Sequence, residues 1–109
     1  MSKFKNITLF SGSGGVGTYS IPNVTDFDYL IIFASTGTNV AGKSTMLPVN
    51  NLVIGASNNI YEIGAYQSTS VYWELQFSFP TASSIRIDTV SSSAWSSPKI
   101  TKIYGVKLK

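Results

Sequence analysis

The chain has 109 residues, of which 43% are hydrophobic and only 12% are charged, and its net charge is +3. A chain of this length forms one domain around one core, so we expect residues 1–109 to fold as a single unit. The sequence contains neither cysteine nor histidine, which excludes thiol chemistry and removes the commonest general base and metal ligand. We therefore expect a binding protein or a structural protein, with no enzymatic activity, no metal and no cofactor.

The polar residues are mainly uncharged: there are 17 Ser, 10 Thr and 7 Asn, types that favour turns and strands over helices. No apolar run approaches the roughly 20 residues of a membrane helix, so we expect no membrane insertion. Six of the eight basic residues lie near the two ends of the chain, where we interpret them as protection of terminal strands rather than as a nucleic-acid surface. These six are Lys3, Lys5, Lys99, Lys102, Lys107 and Lys109.

Short apolar segments separated by turn residues predict eight strands. In chain order they are Phe4–Phe10, Thr18–Ile21, Asp28–Ala34, Ser44–Val49, Ile60–Tyr66, Val71–Phe79, Ile85–Val90 and Ile100–Leu108. Glycine, proline, asparagine and serine mark turns between them, at residues 12–17, 22–23, 37–42, 50–51, 57–59, 80–83 and 91–98. The sequence thus predicts an all-β fold, a single antiparallel β-sandwich or jelly roll of about eight short strands.

Two of these segments carry further information. Val71–Phe79 alternates large apolar residues with smaller or polar ones, which is typical of a half-buried strand and places Trp73 in the core. Asp28–Ala34 is apolar on both faces, as expected of a central strand that is covered on each side or lies at a subunit contact. Together with the low charge, this segment predicts a homo-oligomer.

Two glycine-rich segments match nucleotide-binding patterns. Gly37–Ser44 fits GxxxxGK[ST], but that motif needs a helix after it, and Pro48 falls where the second turn of the helix would be. Gly12–Gly17 fits GxGxxG, but the strand-like Thr18–Ile21 follows it. We interpret both segments as loops between strands.

Acidic residues number five. Asp26 and Asp28 form a D-x-D pair, yet a calcium site needs six to eight oxygen ligands and no further acidic cluster is visible. Glu62, Glu74 and Asp88 lie singly on different predicted strands, so their spacing does not indicate a pair of catalytic carboxylates.

Aromatic residues supply the candidate contacts. Trp95 lies among small polar residues in a predicted loop, where it either contacts a sugar or a protein partner or folds back over the core. Tyr61, Tyr66 and Tyr72 are further candidates for ligand or partner contact, after Trp95.

Three parts of the chain carry a resemblance. They are Leu9–Gly12 with the glycine-rich turn and Thr18–Ile21 after it, Phe27–Phe33, and Ile100–Lys107. In these parts the chain resembles the small β-sandwich domains that end many tail fibres of tailed bacteriophages, and related virion surface proteins.

The resemblance implies a homotrimer on the virion surface that contacts other virion proteins and attaches the phage to a receptor or glycan of its host. It supplies no catalytic residues. Fibre tips follow a long shaft, which this sequence lacks, so an excised tip and a free-standing virion protein are both compatible with it. A capsid decoration or head-fibre protein and a bacterial carbohydrate-binding module are the alternatives.

Overall fold

The computed structural model describes residues 4–36, 42–55, 59–93 and 96–108. Within these ranges the chain forms eight strands: β1 Phe4–Gly14, β2 Gly17–Ser20, β3 Tyr29–Ser35, β4 Lys43–Pro48, β5 Tyr61–Ser68, β6 Val71–Thr81, β7 Ser84–Ser92 and β8 Lys99–Leu108. Short 3₁₀ turns lie at Val24–Asp26 and Val49–Asn51. Each of the eight segments that the sequence predicts overlaps one of these strands.

The strands form two four-stranded antiparallel sheets. Sheet I has the order β1-β8-β3-β4, and sheet II has the order β2-β7-β6-β5. The all-β fold predicted from the sequence is therefore confirmed, and the architecture is a β-sandwich. The apolar strand β3 has a neighbour on each side, whereas β4 and β5 are edge strands of their sheets.

The core lies between the inner faces of the two sheets. On sheet II, the alternation along β6 turns Trp73, Leu75 and Phe77 inward, where they are fully buried. On sheet I, Leu30 and Ile103 are fully buried in the same apolar cluster. Burial of each such side chain stabilises the fold by about 1.5 to 3 kcal/mol, so both sheets are held by one shared core. The predicted core position of Trp73 is confirmed.

The glycine-rich segment after β1 differs from its prediction as a loop. β1 continues through Gly14, which pairs with Ile100 of β8. A Cβ atom on Gly14 would lie 3.2 Å from the ring of Phe10 and 3.3 Å from that of Tyr19, so the glycine makes room for two packed rings. The turn is confined to the residues between β1 and β2, and the Tyr19 hydroxyl donates a hydrogen bond of 2.8 Å to the Gly15 carbonyl there.

Candidate functional site

The outer face of sheet I carries large apolar side chains. β3 places Ile31 opposite Met46 of β4 on one side and Tyr104 of β8 on the other, so these three form a row across the sheet. Because side chains alternate along a strand, Tyr29 and Phe33 point to the same side as Ile31. We call the set Tyr29, Ile31, Phe33, Met46 and Tyr104 the apolar face.

Two residues of the apolar face are exposed and the other three are half-buried. Met46 is 60% exposed and Phe33 is 39% exposed. Phe33 and Tyr104 pack edge to face, with ring centroids 5.9 Å apart, and the Lys102 ammonium lies 6.0 Å from the Tyr104 centroid. Contiguous apolar patches of this kind mark interaction sites on soluble proteins.

Tyr61 and Tyr66, two of the predicted contact residues, lie on opposite faces of β5. Tyr61 is half-buried: its ring stacks on Phe77 with centroids 5.7 Å apart, and its hydroxyl accepts a 3.0 Å hydrogen bond from the Val53 N–H. Tyr66 is 59% exposed and stacks on Tyr72, with centroids 5.5 Å apart and ring planes 13° apart. The two tyrosines therefore cannot contribute to one contact surface, and Tyr66 is the one that faces solvent.

Trp95, the first of the predicted contact residues, lies outside the described residues. Its role in contact stays a prediction.

The outer face of sheet II holds a carboxylate pair that the sequence does not indicate. Glu62 of β5 lies opposite Gln76 of β6, and Gly64 lies opposite Glu74, so the two glutamates are diagonal neighbours with no side chain from Gly64 beside them. Partial burial of Glu74, the nearby charge of Glu62 and a hydrogen bond with Glu62 raise the pKa of Glu74 above the ordinary 4.5. Asp88 lies apart from this pair and accepts a hydrogen bond of 2.8 Å from Arg86.

The pair is not visible in the sequence because only the register of β5 against β6 brings the two residues together. They are twelve positions apart in the chain, and no local pattern fixes which residues face each other across the hairpin.

The phosphate-loop match ends in a strand. Residues 37–41 lie outside the described part of the chain, but Lys43 and Ser44 begin β4, where the motif requires the first turn of a helix. In the other glycine-rich match, Gly17 begins β2. Neither segment has the strand-to-helix geometry that binds a nucleotide phosphate.

The described residues contain no group of three or more His, Cys, Asp or Glu side chains placed to hold a metal ion. The carboxylate of Asp28, from the D-x-D pair, accepts a 2.7 Å hydrogen bond from the Leu108 N–H and so fastens the end of β8. Among the described residues, no helix has the length and apolar character needed to cross a bilayer.

No protein-family model matches the chain, and a search of curated proteins finds no significant match.

Proposed function

We propose that this chain is a surface module of a tailed-bacteriophage virion that assembles as a homotrimer and contributes to attachment to the host. The observation that carries the proposal is the apolar face, which lies in the middle of sheet I and is centred on Ile31. The trimeric state and the location on the virion surface are inferred from the sequence resemblance to fibre-tip domains. The proposal assigns no catalytic step to the module.

The composition of β3 favours a second copy of the chain as the partner. Leu30, Ile32 and Ala34 point into the core and are buried, while Ile31 and Phe33 between them are equally apolar and point outward. Strands that are apolar on both faces are typical of sheets covered on both sides. Contact between copies would provide the second cover, and each Å² of apolar surface removed from water contributes about 25 cal/mol.

The charges of the chain do not oppose such an assembly. The net charge is only +3, so repulsion between copies is small. Lys102 flanks the apolar face, and its ammonium lies over the Tyr104 ring. The positive charge of the ammonium and the electron-rich face of the ring attract each other. The lysine therefore keeps a favourable partner within its own subunit.

The position on the virion is tested by labelling particles with an antibody to the chain and examining them by electron microscopy. The proposal predicts label at the ends of tail fibres. Label over the capsid would instead support the head-decoration alternative, and absence of label from purified particles would contradict a virion protein of either kind.

A further inference from the structure

A groove lies where the edge strands of the two sheets meet. It has a volume of about 330 Å³, and β4 lines one side with Lys43, Ser44 and Thr45. β5 lines the other side, with Glu62 and Tyr66 among its residues. We propose that this groove binds a neutral saccharide, which, on the basis of the proposed function, belongs to the host surface.

Tyr66 gives the groove an exposed aromatic wall. The residue is 59% exposed, and its ring stacks on that of Tyr72, which lies directly opposite in the register of β5 and β6. A rigid tyrosine provides a large contact area with little loss of conformational entropy. The apolar C–H face of a sugar ring stacks on such a surface.

The polar groups of the groove match the hydroxyls of a sugar. Glu62 provides carboxylate oxygens that accept hydrogen bonds, Lys43 provides an ammonium that donates them, and the hydroxyls of Ser44 and Thr45 do both. Glu62 lies on the outer face of sheet II, where it is exposed and stands opposite Gln76 of β6. Neighbouring sugar hydroxyls also act as donors and acceptors, so they find complementary partners here.

The charges and the size of the groove define the ligand further. Lys43 and Glu62 are the charged residues among those that line it, and because their charges are opposite, an anionic ligand gains from one and is repelled by the other. A volume of about 330 Å³ is at the small end of ligand pockets, which suits about one or two sugar rings. The inference is therefore a neutral mono- or disaccharide unit.

The experiment is an NMR titration of the full chain, labelled with ¹⁵N, with D-glucose, D-galactose, D-mannose, N-acetyl-D-glucosamine and L-rhamnose, and with glucose 6-phosphate as the anionic comparator. The expected result is that at least one neutral sugar shifts the amide signals of Ser44, Gly64 and Tyr66 with millimolar affinity. Tyr66→Ala should weaken this binding by about tenfold or more, as for an aromatic anchor. Tyr66→Phe keeps the ring and should bind within about threefold of the parent chain.

Lys5→Gln is a control, because it removes an exposed lysine from β1, the edge of sheet I opposite β4, and should leave sugar binding unchanged. The inference is overturned if no neutral sugar shifts these signals at about 50 mM, if glucose 6-phosphate binds more tightly than glucose, or if Tyr66→Ala binds like the parent chain. Light scattering on the same samples keeps the two proposals apart. A trimer that binds no sugar overturns this inference alone, and a monomer that binds sugar overturns only the proposed assembly.

Discussion

The ring of Phe27 lies against the backbone of Gly105, in the space that a Cβ atom would occupy. A Cβ built on Gly105 would lie only 2.7 Å from Cγ and Cδ1 of that ring. Gly105 is buried in β8, and the neighbouring Asp28 N–H donates a 2.9 Å hydrogen bond to the Val106 carbonyl. The contact thus joins the chain entering β3 to the middle of β8.

Gly105→Ala should destabilise the fold by about 1 to 3 kcal/mol, because the added methyl group overlaps the base of the Phe27 ring. Chemical denaturation of the variant measures this change. Gly42→Ala is the control: a Cβ there meets its nearest atom at 3.6 Å, so its effect should stay within about 0.5 kcal/mol. Equal effects at the two positions would contradict the close packing of Phe27 on Gly105.

The glutamate pair predicts a pH dependence of stability. An acid whose pKa is raised on folding holds its proton more tightly in the folded state, so the free energy of unfolding falls as the pH rises through that range. Glu74→Gln has no proton to lose at this position, so it removes this fall in the free energy of unfolding. Its melting temperature should exceed that of the parent chain at pH 7, and the difference should shrink as the pH falls toward 4.5 and be absent below it.

The groups that face Glu74 guide the controls for this measurement. Glu62 lies beside it on β5, Ser91 lies opposite it on β7, and Lys43 of β4 shares the groove with Glu62. Glu62→Gln should therefore shift the profile in the same direction as Glu74→Gln. Asp26→Asn removes an exposed carboxylate outside the pair and should not. If Glu74→Gln is no more stable than the parent chain at pH 7, the two glutamates do not repel each other in solution.

Truncation of each tryptophan distinguishes a side chain that contacts a partner from one that packs in the core. Trp73→Ala removes a fully buried side chain and should cost about 3 to 5 kcal/mol. If Trp95 is a contact residue, Trp95→Ala should leave the melting temperature nearly unchanged while affinity for the host surface falls by about thirtyfold. A drop in melting temperature as large as that of Trp73→Ala would remove Trp95 from the contact residues.

Much of the fold can be predicted from the sequence because the hydrophobic pattern that indicates a strand lies within the strand itself. The alternation in Val71–Phe79 places Trp73 inside, and the doubly apolar Asp28–Ala34 lies between two neighbours in sheet I, as expected of a central strand. The largest difference between a predicted and an observed strand end lies in a glycine-rich segment, at the end of β1. Gly14 reads as a turn residue, but it lies in β1 because two aromatic rings pack against it.

The candidate sites depend on contacts across strands, which the sequence does not specify. Glu62 lies near Glu74 only through the register of β5 and β6, and Lys43 and Tyr66 line one groove only because two edge strands from different sheets lie together. Tyr61 and Tyr66 read as similar candidates, yet five positions along a strand place them on opposite faces.

If the apolar face joins copies of this chain, as proposed, the assembly is visible in the mass in solution. Light scattering at micromolar concentration should give three times the 11.8 kDa mass of one chain. Met46→Glu places a charge in the apolar face at a side chain that is 60% exposed, so it should reduce the mass to that of a monomer without unfolding the chain.

Val16→Glu is the matched control, because Val16 is 64% exposed in the turn between β1 and β2, away from the apolar face. This variant should remain trimeric. A parent chain that is monomeric at micromolar concentration, or a Met46→Glu variant that keeps the mass of the Val16→Glu variant, would contradict the proposed assembly.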